Sequence, residues 1–459
     1  MLKDLFKSLI TKGSYTQDIA IIGIGKILIA LIGFIFIPIL ARIYSPEAFG
    51  LFSIYNTTVS ILVLLASLSY PSAFVIQKNE NDFYRLLILS SSLLLIITSF
   101  LFLIVLFLNN YLIRVFEINS NSIIFYLIPL GVLINGIIVI LSQTNIRRKN
   151  YVLSSSVDVT CHFIIRIINL VFGIITKGNP YGLILGNQIG NSLAHSYNFI
   201  INIKTELKGI LENANSKNII PILKKFRNYP YFILPGQLLN ILKIQGSIYF
   251  IGAGFGQSIL GAYSMSMNLL NIPIQIAGNS VSSVYLKTAT EYYHNNAEKL
   301  SRFTYKTANS LFLISFIPFS ILLVLGKEIL VILLGEIWQD AGIFASILSP
   351  YFFYLIIFSP LTTLFQIYGR EKTLLTFNLF TLIFNILSLS IGLYTRNPYI
   401  TMILFSISNS IVYIILGWKI FKLLKINFFP FFIRITFLFL FSCLIIYGIK
   451  VGLNAVFNI

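Results

Sequence analysis

Charge is scarce in this 459-residue chain: Asp, Glu, Lys and Arg together make up 10% of it, too little to cover a water-soluble globule of that length. Carboxylates are scarcer still, 15 against 33 lysines and arginines. Cysteine occurs only at Cys161 and Cys443, far apart and inside apolar stretches. That argues against a disulfide framework or a Cys-based metal site and reads as two small core residues. There is no zinc-ligand spacing, no Gly-rich Walker-type loop and no soluble segment that would hold ATP, so no metal or cofactor and no direct ATP coupling are expected.

What the chain does have is apolar length. Hydrophobic residues are 57% of it and the mean hydropathy is +0.87. They fall in blocks of about 20 residues or more, each enough for a helix rising 1.5 Å per residue to cross a hydrocarbon core of about 30 Å. Thirteen blocks are read, near residues 19–41, 49–70, 84–108, 122–144, 154–175, 181–203, 229–252, 258–286, 303–325, 341–368, 373–394, 399–424 and 430–453. They are nearly continuous rather than alternating, so the backbone must satisfy itself as helix and not as a barrel. The expected fold class is an all-α polytopic membrane bundle. The first span follows Asp4 and three lysines, with no small-residue cleavage signature after it, and is expected to be retained.

The net charge of +18 is unevenly placed. With a cytoplasmic N-terminus, the inner side holds Lys3, Lys7, Lys12, Lys78, Arg85, Arg147, Arg148, Lys149, six cations between Lys204 and Arg227, four between Lys287 and Lys306, Arg370, Lys372, Lys419, Lys422 and Lys425. The opposite turns hold Arg42, Arg114, Lys177, Lys327 and Arg396. This positive-inside pattern is read by membrane lipids and the insertion machinery, and nucleic acid is not an expected partner.

Internal similarity divides the chain. Gly50-Leu51-Phe52-Ser53 resembles Gly261-Ala262-Tyr263-Ser264, and Gln143, Arg147 and Lys149 share the spacing of Gln366, Arg370 and Lys372. The expected organisation is an N-terminal lobe of spans one to six (1–203), a cytoplasmic linker (204–228), a C-terminal lobe of spans seven to twelve (229–425) and one extra span (426–459), the lobes being parallel repeats. The extra span is either a peripheral addition or one of a pair whose mate lies in Gly326–Trp338; an interfacial helix is the preferred reading of that segment.

Three cations fall within spans: Lys26, Arg166 and Lys243, about 10, 18 and 21 Å from the cytoplasmic edge at 1.5 Å per residue. A charge at such depth faces a cavity or a partner, although Lys26 is shallow enough to snorkel. Lys243 shares a helix face with Gly236, Asn240 and Ser247, and Arg166 with Asp158, His162 and Asn169. Span eight adds Asn268, Asn271, Gln275, Asn279 and Ser282, and span six adds Asn187, Asn191, His195, Asn198 and Asn202. Single polar side chains also glue helices together, whereas whole stripes suit a polar path: amides and hydroxyls for sugars, cations for phosphate. Asp158 and His162 would serve a proton relay, or more simply an ion pair or a packed imidazole.

The turn Ala41-Arg42-Ile43-Tyr44-Ser45-Pro46-Glu47-Ala48-Phe49-Gly50 resembles the Arg-x-x-x-Pro-Glu-x-(Tyr or Phe)-Gly turn of polysaccharide flippases, as does Gly261-Ala262-Tyr263 entering span eight. With the basic turn Asn145–Tyr151 and the two-lobe layout, the chain resembles the O-antigen or capsule repeat-unit flippases of the multidrug, oligosaccharidyl-lipid and polysaccharide exporter superfamily.

The resemblance implies two six-helix lobes around a cationic central cavity that opens alternately to each side of the bacterial inner membrane. The substrate it implies is undecaprenyl-pyrophosphate-linked oligosaccharide, with its tail in the bilayer, and a peptidoglycan precursor in place of an O-antigen unit stays open; the polymerase of the same pathway is a further conceivable partner. It carries no catalytic motif over. The substrate-binding candidates, Lys26, Arg166, Lys243, Asn240, Asn268, Asn271, Gln275 and Asn279, and the coupling candidates, Asp158 and His162, therefore rest on depth and face alone. A multidrug or cation-coupled exporter of the same superfamily would want cavity carboxylates, and Asp158 is the one well inside a span. A membrane polymerase or ligase would want a sizeable outer loop, and every outer turn is short, so enzymatic activity is not expected.

Overall fold

A computed structural model describes residues 15–115, 123–214 and 219–457. Its helices are Tyr15–Ala41 (α1), Pro46–Ser67 (α2), Glu80–Val115 (α3), Ile123–Arg147 (α4), Tyr151–Ile175 (α5), Pro180–Ala214 (α6), Ile219–Lys225 (α7), Leu234–Pro273 (α8), Asn279–Asn295 (α9), Ala297–Leu334 (α10), Gln339–Phe358 (α11), Thr363–Ile367 (α12), Glu371–Thr395 (α13), Pro398–Leu423 (α14) and Phe428–Phe457 (α15). The described residues are a polytopic all-α membrane protein, as the apolar blocks predict. Eleven stretches among them are long and apolar enough to cross a bilayer.

By length and hydropathy alone the count falls two short of the thirteen expected spans. The seventh and eighth are the two arms of α8, which folds back at Gly256, whose φ of 83° and ψ of 176° only glycine adopts without strain, so that Ser247 Oγ and Tyr263 Oη, 16 residues apart, meet at 2.8 Å. The sixth, α6, is 35 residues long but too polar along its length to count on hydropathy. The segment expected as an interfacial helix is instead the end of α10, which runs unbroken through Gly326 to Leu334. Small residues explain it. A Cβ on Gly326 would meet Gly342 O at 3.1 Å and one on Gly342 would meet Lys327 Cα at 2.6 Å, so α10 and α11 approach backbone to backbone.

The chain forms two compact units, Met1–Phe36 with Leu51–Gln245 and Ile37–Gly50 with Gly246–Ile459. In the first unit, α1 lies parallel to α5: Ser155 Oγ donates to Ile21 O, a Cβ on Gly25 would strike Ser155 Oγ, and Phe36 meets Phe163 edge-on. At the ends of α3, α4 and α6 the basic turn forms a clip. Arg148 pairs with Glu206 at 2.7 Å and Glu80 at 2.9 Å, Arg147 reaches Glu80 at 2.8 Å, and both guanidinium groups lie over the Phe83 ring. The hydrogen bonds to Glu206 and Glu80 push the Arg148 pKa up, keeping it charged at any relevant pH. The Glu206 side chain is 5% exposed. Arg148→Ala is therefore expected to strand a buried carboxylate at a penalty of about 2 kcal/mol, discounted for the exposure of Arg148. Thermal unfolding of the purified protein should show a melting temperature several degrees lower; an unchanged one would mean that the clip holds nothing.

In the second unit, α15 packs along α10 in parallel. Arg434 reaches Asn309, Ser442 meets Ser320, and Lys450 pairs with Glu328 at 2.7 Å, so the contacts advance together along both helices. The thirteenth span thus starts at the end of the bundle where α10 starts.

The two sequence likenesses behave differently in the structure. Gly50 and Gly261 sit at one helix crossing with reciprocal contacts: a Cβ on Gly50 would meet Gln257 O at 2.1 Å, and one on Gly261 would meet Pro46 O at 1.7 Å. Each glycine faces the carbonyl four residues before the other, as a two-fold pair would. At the basic turn the expected pairing is offset. Asn150 N bonds Asn145 O just as Arg370 N bonds Phe365 O, and the positive-φ residues are Lys149 and Gly369, so Arg370 and Lys372 do not occupy the positions of Arg147 and Lys149. A clearer repeat lies in Asn179-Pro180-Tyr181 and Asn397-Pro398-Tyr399. In both, the Asn side chain caps a helix from Tyr N, at 3.0 and 2.9 Å, with Pro in the first turn.

Candidate functional site

The four-residue spacing of Asp158, His162 and Arg166 drifts around α5 by about 40° per step, because 3.6 residues make a turn. Asp158 and His162 are exposed and Arg166 is half-buried, while Asn169, 1% exposed, has already turned into the α5–α6 interface. None of Asp158, His162 and Arg166 forms a hydrogen bond or ion pair among the described residues. The ion pair considered for this face is therefore not formed there, nor is the His162 imidazole packed away. Lys26 is exposed on α1, next to the Gly25–Ser155 contact that joins its helix to α5.

On α8, Asn240 is exposed and Lys243 half-buried. The stripe expected to continue through Ser247 does not. Ser247 is buried and hydrogen-bonded to Tyr263 Oη at 2.8 Å, so its hydroxyl joins two spans and lines no aqueous path.

The eighth-span stripe is likewise interrupted. Pro273 has no N–H to give, and Ile274–Gly278 forms a π-helical turn that carries Gln275. Spacings of three and four therefore do not keep Asn271, Gln275 and Asn279 strictly on one face. Asn268 and Gln275 are exposed, Asn271 is half-buried and bonds back to Met267 O at 2.7 Å, and the Asn279 side chain lies outside the described residues.

The sixth-span stripe is mostly glue. Asn198 and Asn202, both buried, close a triad with Asn145 on α4 at 3.0 and 3.1 Å, and Asn191 links to Cys161 at 3.1 Å and to Asn187 at 2.9 Å. His195, 9% exposed, lines a cavity of about 230 Å³ with Ile134, Ile137, Ile138 and Leu141 of α4.

Two intramembrane cations escaped the sequence reading because they lie in the added span. Arg434 sits over the Tyr305 and Phe431 rings beside Asn309, and Lys450 pairs with Glu328. Both have partners on or near α10 and read as packing groups of α15. By contrast Lys26, Arg166, Lys243 and Asn240 all belong to the first unit, and Asn268, Asn271 and Gln275 to the second. No cluster of His, Cys, Asp and Glu that could hold a metal exists among the described residues.

The family described as Polysaccharide biosynthesis protein matches the chain over residues 39–343. Among solved structures, lipid II flippase MurJ in an inward closed conformation is similar at a TM-score of 0.63 and 16% identity, over 94% of this chain and 97% of that one. An inward-facing multidrug resistance MATE family transporter of the MOP superfamily is similar at a TM-score of 0.57 and 14% identity, over 92% and 97%. A MOP superfamily transporter from Pyrococcus furiosus is similar at 0.59 and 12% identity, over 89% and 95%. At these identities the likeness is one of fold. No curated protein matches the chain.

Proposed function

Because the chain belongs to the polysaccharide biosynthesis protein family and has the fold of MOP-superfamily transporters, we propose that it flips a polyprenyl-pyrophosphate-linked oligosaccharide across the membrane by alternating access. The proposed cargo is an undecaprenyl-pyrophosphate repeat unit for an O-antigen or capsular polysaccharide. The proposed setting is the bacterial inner membrane with the N-terminus in the cytoplasm, in keeping with the inward bias of Lys and Arg. The repeats 1–203 and 229–425, with 204–228 between them and 426–459 added, are proposed as its two lobes.

The observation that carries this reading is the family match over residues 39–343, to which polar groups held within spans add a candidate substrate chemistry. Lys26, Arg166 and Lys243, with Asn240, are a cationic set suited to a pyrophosphate. Asn268, Asn271 and Gln275, with Asn279, are neutral donors and acceptors suited to a glycan. A cation at membrane depth is costly, and for Arg166, which has no hydrogen bond or ion pair among the described residues, a dianionic headgroup would relieve that cost only in the loaded state. Such a differential affinity is what biases a two-state carrier. Asp158 and His162, both exposed on the face that leads to Arg166, are proposed as the groups that would couple return to a proton gradient.

The test is a reconstituted assay in which labelled lipid-linked glycan is placed in one leaflet and followed into the other, with and without ATP and imposed ion gradients. Flipping without nucleotide is expected. Strict dependence on added ATP would overturn the mechanism, and gradient-insensitive flipping would remove the coupling role of Asp158 and His162.

A further inference from the structure

The second unit contains a groove of about 530 Å³ lined by Pro38, Ile39, Arg42, Ile43, Ile332 and Leu333. Five of these six are apolar, and Ile39 and Ile332 are 42% and 73% exposed. The groove lies where α1 ends at Ala41 and α10 ends at Leu334, so it sits at one edge of the hydrocarbon layer whichever way the chain is inserted.

Arg42 stands at its rim. One guanidinium nitrogen donates to Ile332 O at 3.3 Å, a carbonyl of the last turn of α10 that has no helical partner of its own. A guanidinium carries five N–H donors in a planar fork, so this cap uses one and leaves others for a second acceptor. The turn that carries Arg42 is held in place. Trp338 Nε1 donates to Ala41 O at 2.8 Å, Phe49 packs edge-on against the Trp338 ring, and Gly50 and Gly261 close the crossing behind it. A fixed cation at a membrane edge above an apolar trough selects an amphiphile with a hydrocarbon chain and a negatively charged phosphate.

We propose that this groove binds an anionic glycerophospholipid, its acyl chain along Pro38, Ile39, Ile43, Ile332 and Leu333 and its phosphate on Arg42. Charge complementarity favours an anionic lipid over a zwitterionic one, whose own cation would stand beside the guanidinium. The site does not depend on the transport reading. It gives Arg42, the first residue of the turn motif, a role beyond the packing that Pro46, Phe49 and Gly50 perform.

The chain has two tryptophans, so Trp418→Phe leaves Trp338 as the sole tryptophan, one hydrogen bond away from Ala41 and excited selectively at the red edge of the absorption band, where tyrosine does not absorb. The full-length variant is reconstituted in vesicles doped with dibrominated phosphatidylglycerol or dibrominated phosphatidylcholine, and quenching of Trp338 is read. A preference of about tenfold for phosphatidylglycerol is expected, the size of one charge-assisted hydrogen bond. Arg42→Gln should abolish it and Arg42→Lys should keep part of it. Because Arg42→Gln also uncaps α10, Ile39→Glu serves as a second variant. It leaves Arg42 in place, puts a carboxylate in the trough and should abolish the preference while the Trp338 emission maximum is unchanged. Equal quenching by the two lipids in the parent, or an undiminished preference in both Arg42→Gln and Ile39→Glu, would overturn the site. Displacement of phosphatidylglycerol by substoichiometric polyprenyl monophosphate would overturn its assignment to a glycerophospholipid.

Discussion

Cells whose only copy carries Arg166→Ala or Lys243→Ala are expected to hold the protein in the membrane at parental abundance and to lose surface glycan. The reasoning starts from the cost of charge. A cation at the centre of a span costs at least about 2.5 kcal/mol on insertion scales, so its removal does not hinder insertion. Arg166 has no hydrogen bond or ion pair among the described residues whose loss would leave a partner stranded, and Lys243 is half-buried on a helix whose neighbouring Asn240 is exposed. What alanine removes is a charge-assisted interaction with the substrate, about 1.5–3 kcal/mol for each cation and so about tenfold to a hundredfold in transport. Immunoblotting of membranes and gel analysis of glycan separate the two effects. Normal glycan from both variants would remove Arg166 and Lys243 from the proposed site, and loss of the protein itself would make them structural. Arg166→Lys should be intermediate, because a point charge replaces a fork that grips two phosphate oxygens.

Gly261→Leu is expected to produce almost no folded protein. Even the first added carbon would lie 1.7 Å from Pro46 O, a backbone atom with no flexible side chain to give way. The α1–α2 turn would have to leave its seat, and with it would go the bond from Trp338 to Ala41 and the Phe49–Trp338 contact. Overpacking of this kind costs about 1–3 kcal/mol when a core can relax, and more when backbone faces backbone. Gly50→Leu meets Gln257 O from the other side of the same crossing and should behave alike. As a control, Gly448→Leu has open space around it and should accumulate normally. Fluorescence-detected gel filtration of detergent extracts would show this directly. A monodisperse peak of normal height from Gly261→Leu would mean that the crossing is not as tight as its geometry.

The amide stripes mark the boundary of what a sequence reports. In the sixth and eighth spans, Asn198 and Asn202 read much like Asn268 and Asn271, since polarity and spacing are the same kind of signal in both. Only packing separates them: Asn198 and Asn202 meet Asn145 of α4 and are consumed as interhelical hydrogen bonds, whereas Asn268 stays exposed. Ser247 was lost from its stripe in the same way, by meeting Tyr263. The repeat at the basic turn was misaligned because residue identity was matched. The helix-terminating bonds and the left-handed positions at Lys149 and Gly369 are what define the equivalence, and the better sequence marker, Asn-Pro-Tyr, works through the Asn cap at each helix start.

By itself the sequence determined that the chain is a helical membrane protein, which stretches are apolar enough for a bilayer, and that cations outnumber carboxylates within it. These are properties of solvent transfer: in hydrocarbon a backbone must bond to itself, and apolar length and charge are legible residue by residue. Tertiary structure decided the rest. It placed Lys26, Arg166 and Lys243 in one compact unit and the eighth-span amides in the other, extended α10 through a segment read as interfacial, paired Arg434 and Lys450 with α10, and turned most of one polar stripe into glue. The physical reason is that a polar side chain in a membrane must find a partner, and whether that partner is another helix or a substrate depends on which faces meet. Those meetings are set by glycine-sized gaps such as Gly25 at Ser155 and Gly261 at Pro46, contacts between residues too far apart in sequence for any spacing rule to connect.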